Sequence, residues 1–175
     1  MEKMTFVVRM AREEDIPQIK EVAKEAFSLY TEGAGITAIV GTLEETCEGI
    51  KRDIETKLVF VALQGDKIIG SVRVEVKSDN TAYLSRFGVS GAYQNNGVGK
   101  ILINAVDNAM KKLGVTHLYL HTASRMLSLV RFYYGRGFYI ESTTKDRGYI
   151  RALLCKEYTN TESKSEPNCD NLAAV

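Results

Sequence analysis

The chain has 175 residues, 45% of them apolar and 26% charged, with a formal net charge of +1. That is enough apolar content to bury one core without metal or disulfide staples. No lysine- or arginine-rich block marks a nucleic-acid face, and no apolar run reaches the roughly 18 to 20 residues that span a bilayer.

Residues 5 to 10 read as a strand, followed by Asp15 as a helix N-cap with Pro17 in the first turn. Ile19, Val22, Ala23, Ala26, Phe27 and Tyr30 form the apolar stripe of a first helix. Residues 31 to 41 hold Gly33, Gly35 and Gly41 and read as an irregular loop. Thr42-Leu43-Glu44-Glu45 has the form of a capping box, and Leu43, Cys47, Ile50 and Ile54 give a second helix. Residues 58 to 64 and 68 to 77 are strands around a Gly65-Asp66 turn; residues 83 to 89 form another.

Next comes Gln94-Asn95-Asn96-Gly97-Val98-Gly99-Lys100, which opens a helix striped by Ile101, Leu102, Ala105, Val106, Ala109, Met110 and Leu113 and closed by Gly114. A glycine turn between strand and helix leaves several N–H groups unpaired at the positive end of the helix dipole, which suits a phosphate. A dinucleotide fingerprint needs glycine where Leu102 stands. A P-loop needs glycine at Gln94 and Ser or Thr at Ile101. Residues 115 to 122 are a strand, 126 to 136 a short helix, and 137 to 143 and 149 to 158 closing strands.

The surviving loop pattern, Gln-x-x-Gly-x-Gly, resembles the acetyl-CoA pyrophosphate loop of the GNAT superfamily of N-acetyltransferases. Leu129-Val130-Arg131-Phe132-Tyr133-Tyr134-Gly135-Arg136-Gly137-Phe138 is similar to a second segment of that family. The element order, β-α-α-β-β-β-α-β-α-β-β, agrees. The resemblance covers residues 5 to 157 and implies a single-domain α/β fold, a mixed twisted sheet flanked by helices. Residues 1 to 158 would be the domain, and the polar stretch from 159 to 175 a disordered tail.

The resemblance also implies acetyl-CoA as co-substrate, held by Gln94, Asn95, Asn96, Gly97, Val98, Gly99 and Lys100. Backbone N–H groups of the strand at Phe87 and Val89 would face the thioester oxygen, freed where the strand splays from its neighbour, often through a bulge. It implies that Tyr133 protonates the departing thiolate, while Phe132 and Phe138 read as core aromatics. Met126 stands where family members often carry an asparagine. The expected acceptor is a primary amine on a small molecule or peptide, met by residues 30 to 41 and 142 to 149. A homodimer is compatible with this reading. A non-catalytic acyl-CoA sensor with the same fold is the competing one.

No general base is evident. The strand before the glycine loop carries Ser85 and Arg86 but no carboxylate. Glu75 either faces the site or pairs with Arg73, and a water held by Ser85 is another carrier. Arg73 and Arg86 either meet an anionic group on the acceptor or face solvent. His117 and His121, four apart on a strand, lie ~13 Å from each other and do not share an ion; no metal is expected. Cys47, Cys155 and Cys169 are an odd set without C-x-x-C. They read as reduced thiols of a cytoplasmic protein, the first two in its core. Met1-Glu2-Lys3-Met4-Thr5 lacks the apolar run of a signal peptide.

Overall fold

A computed structural model describes residues 5–36 and 45–159. Its strands, in chain order, are β1 (Val7–Met10), β2 (Leu58–Gln64), β3 (Lys67–Val76), β4 (Thr81–Val89), β5 (His117–Ala123), β6 (Tyr139–Thr144) and β7 (Arg151–Glu157). The helices are α1 (Ile16–Ala34), α2 (Cys47–Thr56), α3 (Val98–Lys112) and α4 (Leu127–Tyr134). The order is the one expected from hydrophobic periodicity. All described strands join one sheet in the spatial order β1-β2-β3-β4-β5-β7-β6. Every neighbouring pair is antiparallel except β4 and β5, which run parallel because α3 crosses between them.

The alternation of β-strands divides the core into two layers. Val72 and Val74 of β3, Ala82 and Leu84 of β4 and Leu118 and Leu120 of β5 meet Val98, Leu102, Val106 and Met110 of α3. Val59, Val61 and Leu63 of β2 turn the other way, onto Ile16, Ile19 and Val22 of α1 and Ile50 of α2. Burying side chains of this size stabilises the fold by about 1.5–3 kcal/mol each, so both layers clamp the sheet.

Four local expectations change. Helix α1 continues through Thr31–Ala34 and stops at Gly35, whose left-handed φ of 64° closes it, so the stretch expected to be irregular from residue 31 is helical as far as Ala34; positions 37–41 lie outside the described residues. The proposed box at Thr42-Leu43-Glu44 also lies outside them. Helix α2 begins instead at Cys47, with the Thr46 hydroxyl accepting from the Gly49 N–H at 3.0 Å. Cys47 therefore sits on an exposed first turn, not in the core, whereas Cys155 is buried. Asp15 stands at the N-terminus of α1 but does not cap it. Its carboxylate accepts from the Arg9 guanidinium at 2.7 and 3.0 Å and from the Arg12 N–H at 2.7 Å, fastening the helix entry to β1.

Candidate active site

The sheet opens in its middle. Strand β4 pairs with β3 as Arg73↔Ser85 and then Ser71↔Gly88, so Arg86 and Phe87 together oppose the single Val72. This is a β-bulge, and Arg86 takes φ 51° to make it. On the other side β4 pairs with β5 only at Thr81↔His117, Ala82↔Leu118 and Tyr83↔Tyr119. Beyond Tyr83 the two parallel strands part, leaving a wedge between residues 85–89 and 120–123. The Ser90 N–H donates to the Ile69 carbonyl at 2.8 Å. Strand alternation then turns the Val89 N–H away from β3, toward the wedge. Helix α1 packs so closely over the bulge that a Cβ on Gly88 would lie 2.5 Å from that of Ala26.

At the end of β4, a 3₁₀ turn at Gly91–Tyr93 leads to Gln94, whose side-chain amide folds back to the Val89 carbonyl at 3.4 Å. Asn95 (φ 62°) and Gly97 (φ 83°) bend the chain into α3. The first helical bond runs from the Ile101 N–H to the Gly97 carbonyl at 3.1 Å, and no side chain caps the helix. The N–H groups of Val98, Gly99 and Lys100 are thus left for a partner outside the helix, and the dipole makes that partner anionic. Val98 is itself 1% exposed, so only its backbone is on offer. The two glycines differ. A Cβ on Gly97 meets nothing within 4 Å, while one on Gly99 would sit 3.2 Å from the Phe87 ring and 3.3 Å from Phe132. Gly99 makes room for an aromatic stack.

That stack lies on the α3 side of the sheet, against the core. Phe87 and Phe132 lie parallel at 5.8 Å. Tyr133, on α4, packs against Phe87 at 6.1 Å, Phe132 at 5.5 Å and Phe138 at 5.5 Å. Burial, with Tyr30 nearby, pushes the Tyr133 phenol well above its ordinary pKa and keeps its proton on. No described residue hydrogen-bonds its hydroxyl. At the splayed end of β5 the hydroxyl of Thr122 is buried without a hydrogen-bond partner among the described residues.

On the opposite face, the Tyr30 hydroxyl at the far end of α1 accepts from the Ala123 N–H at 2.7 Å, bridging helix and wedge. Met126 lies against the same end of α1, its Sδ and Cε 3.2 Å from where a Gly33 Cβ would be. Tyr83 and His121 meet across the parting strands, phenol oxygen to Nδ1, at 2.7 Å. Arg73 is fully buried and is held by Glu45 and by Asp53, the latter at 2.7 Å. It is therefore closed to an acceptor and is not Glu75's partner. Arg86 approaches Glu45 at 3.8 Å. Glu75 is exposed at the end of β3, opposite Tyr83.

The profile of the acetyltransferase (GNAT) family matches residues 18–138, more than half of the chain. The chain belongs to the GNAT acetyltransferase family. No curated protein matches it. Among solved structures, its fold is similar to that of the PaiA N-acetyltransferase from Thermoplasma acidophilum, in complex with coenzyme A. The TM-score is 0.78 at 24% identity, over 89% of this chain and 100% of that one. The ribosomal-protein-S18-alanine N-acetyltransferase from Escherichia coli gives 0.71 at 16% identity, over 91% and 100%. YncA, a putative acetyltransferase from Salmonella typhimurium with acetyl-CoA, gives 0.70 at 15% identity, over 94% and 99%.

In this GNAT chain the residues singled out from sequence fall around one feature. Phe87 and Val89 lie on the β4 side of the wedge, Gln94 to Lys100 follow at its end, and Tyr133 packs against Phe87. The splay of β4 through a bulge agrees with the expectation for this strand, whereas the position of the bulge at Arg86, the Tyr83–His121 pair and the Tyr30–Ala123 bridge were not foreseen. The bulge depends on register between strands distant in sequence, and the pairs join residues 38 and 93 positions apart. Among the described residues no group of three or more His, Cys, Asp or Glu is placed to hold a metal. No described helix is long and apolar enough to cross a membrane.

Proposed function

We propose that the protein transfers an acetyl group from acetyl-CoA to a primary amine by direct attack on the thioester. The observation that carries this reading is the wedge between β4 and β5, which opens beside Val89 next to the uncapped start of α3. Anionic diphosphate suits the N–H groups of Val98, Gly99 and Lys100, with Gly97 leaving open space beside them. A pantetheine arm carries amides that fit between two strand edges, and the Thr122 hydroxyl is a buried polar atom in want of such a partner. CoA and acetyl-CoA in two of the similar structures support the donor.

The chemistry follows from this placement. The Val89 N–H would donate to the thioester oxygen as negative charge develops there, a contribution typically of about 2.7–4 kcal/mol for one such donor. The amine nitrogen forms a bond to the carbonyl carbon, and the C–S bond breaks with its electron pair going to sulfur. Tyr133, protonated through the whole physiological range, gives that sulfur a proton. Residues 1–158 would form the catalytic domain, acting in the cytoplasm with its buried Cys155 reduced.

Thiol release measured over a panel of primary amines tests the proposal. Turnover on at least one amine, with stoichiometric acetylated product by mass spectrometry, is expected. Tight acetyl-CoA binding with no turnover on any amine would make the protein an acyl-CoA sensor instead.

A further inference from the structure

The transferase reading leaves one proton without a destination. A primary amine reaches the site as an ammonium, and the nitrogen needs its lone pair before it attacks. Glu75 lies exposed at the end of β3, and Glu45 is engaged with Arg73 and Arg86. Asp53 is shared between Arg73 and Lys57. Glu45 and Asp53 are therefore already neutralised, Glu25 of α1 accepts from the Gly91 N–H at 2.8 Å, and Glu75, opposite Tyr83, faces solvent.

His121 is differently placed. Had β4 and β5 stayed paired beyond Tyr83↔Tyr119, its partner would have been Ser85. The imidazole thus stands where the strands part, on the face opposite α3, because Leu118 and Leu120 take the α3 side. Its Nδ1 is 2.7 Å from the Tyr83 oxygen. If Nδ1 carries the proton and donates to Tyr83, Nε2 keeps a free lone pair, and no described residue hydrogen-bonds it. We infer that His121 is the catalytic base of this GNAT protein, oriented by Tyr83. The inference rests on the transferase reading.

The step balances simply. His121 Nε2 takes one proton from the acceptor R–NH3⁺ and becomes imidazolium, its Nδ1–H still donating to Tyr83. The freed amine attacks the thioester carbon, and sulfur leaves with the C–S electron pair and takes the Tyr133 proton; the second proton of the attacking nitrogen passes through solvent to the tyrosinate, and the imidazolium returns its own to solvent, so one proton is released overall. The groups facing the ring support this. Tyr83 approaches from β4, Arg151 from β7, and Asp146 and Arg147 from the turn between β6 and β7. Asp146 is bound to Arg151 at 2.8 Å and so offers the ring little compensating charge. Burial, followed by Arg151, holds the imidazole below its ordinary pKa, and Asp146 opposes that shift. The ring is consequently neutral, and able to accept a proton, at pH 7.

The test is thiol release from acetyl-CoA with n-butylamine, phenethylamine, L-alaninamide or hydrazine as acceptor, for wild type, His121→Gln and Tyr83→Phe. Wild type should show kcat/KM rising through the imidazole's titration. His121→Gln should lose that limb and about 10²- to 10⁴-fold in kcat on the alkylamines. It should lose much less on hydrazine, a good part of which is already the free base at pH 8, and its KM for acetyl-CoA should stay within about twofold. Tyr83→Phe removes only an acceptor of the Nδ1–H and should move the limb to lower pH. This variant retains its ring if glutamine at 121 fails to fold. A limb unchanged in both variants, or equal losses on hydrazine and alkylamines, would overturn the assignment. Wild-type protein that binds acetyl-CoA but turns over none of the four would overturn the transferase reading and this inference with it.

Discussion

Replacing Tyr133 by phenylalanine separates the chemistry of the wedge from its packing. The ring stays among Phe87, Phe132 and Phe138, with centroids 5.5–6.1 Å away, so the aromatic cluster survives. Tyr133 is 4% exposed, and its hydroxyl receives no hydrogen bond from a described residue. Removing that oxygen should therefore change stability by no more than about 1 kcal/mol. Loss of a positioned general acid costs on the order of 10² to 10⁴ in rate, about 3–5 kcal/mol of barrier. Acetyl-CoA would be held mainly at the start of α3 and along the strand edges, so its Kd should shift by less than about threefold, under 1 kcal/mol. Single-turnover thiol release, with calorimetry and urea unfolding on the same samples, reads all three quantities. The neighbour supplies a control: the Tyr134 hydroxyl accepts from the Ile140 N–H at 3.1 Å, half-exposed and turned away from the wedge. Tyr134→Phe should lose a little stability and keep its rate. Tyr133→Phe retaining more than half of wild-type turnover while chemistry limits the rate would refute the acid role.

Gly99→Val should unfold more readily, by about 1–3 kcal/mol in urea, because its Cβ meets the Phe87–Phe132 stack. Gly97→Ala faces open space and should instead weaken acetyl-CoA binding about tenfold, roughly 1.4 kcal/mol by calorimetry, because φ 83° is hard for alanine to hold. Arg73→Met strips the buried cation from Glu45 and Asp53 and should cost about 3–5 kcal/mol of stability. If it raised the acceptor KM and left stability intact, Arg73 would belong to the acceptor site after all. Hydrogen bonding from Arg9 lowers the folded-state pKa of Asp15. Its contribution is therefore full above the unfolded value of about 4 and fades as pH falls through the folded one. The stability difference between wild type and Asp15→Asn should shrink over that range in acid titrations.

The fold was legible where periodicity was long. The apolar stripe of α3 and the alternation of Val72, Val74 and Val76 in β3 each specify their element locally, and the helix crossover makes β4 and β5 parallel. The glycine loop was legible for the same reason, since strand, turn and helix start are contiguous. The distinct work of its two glycines was not, because Gly99 is constrained by Phe87 and Phe132 from other elements. Arg73 looked like a surface or substrate-facing arginine because its partners, Asp53 and Glu45, lie 20 and 28 residues away. His121 was set aside with His117 as a metal pair that strand geometry forbids. Its pairing with Tyr83 arises only when β5 lies beside β4. Sequence spacing reports neighbours on one element, whereas the wedge is made where elements separate.

The central claim is that acyl-CoA occupies the wedge with its phosphates on the start of α3. Amide NMR shifts recorded while acetyl-CoA is added test it most directly. The account predicts large changes and slowed exchange at the N–H groups of Val98, Gly99, Lys100 and Val89, with the buried strand β2 unmoved. Saturable binding that leaves those four amides unchanged and perturbs another surface would contradict it.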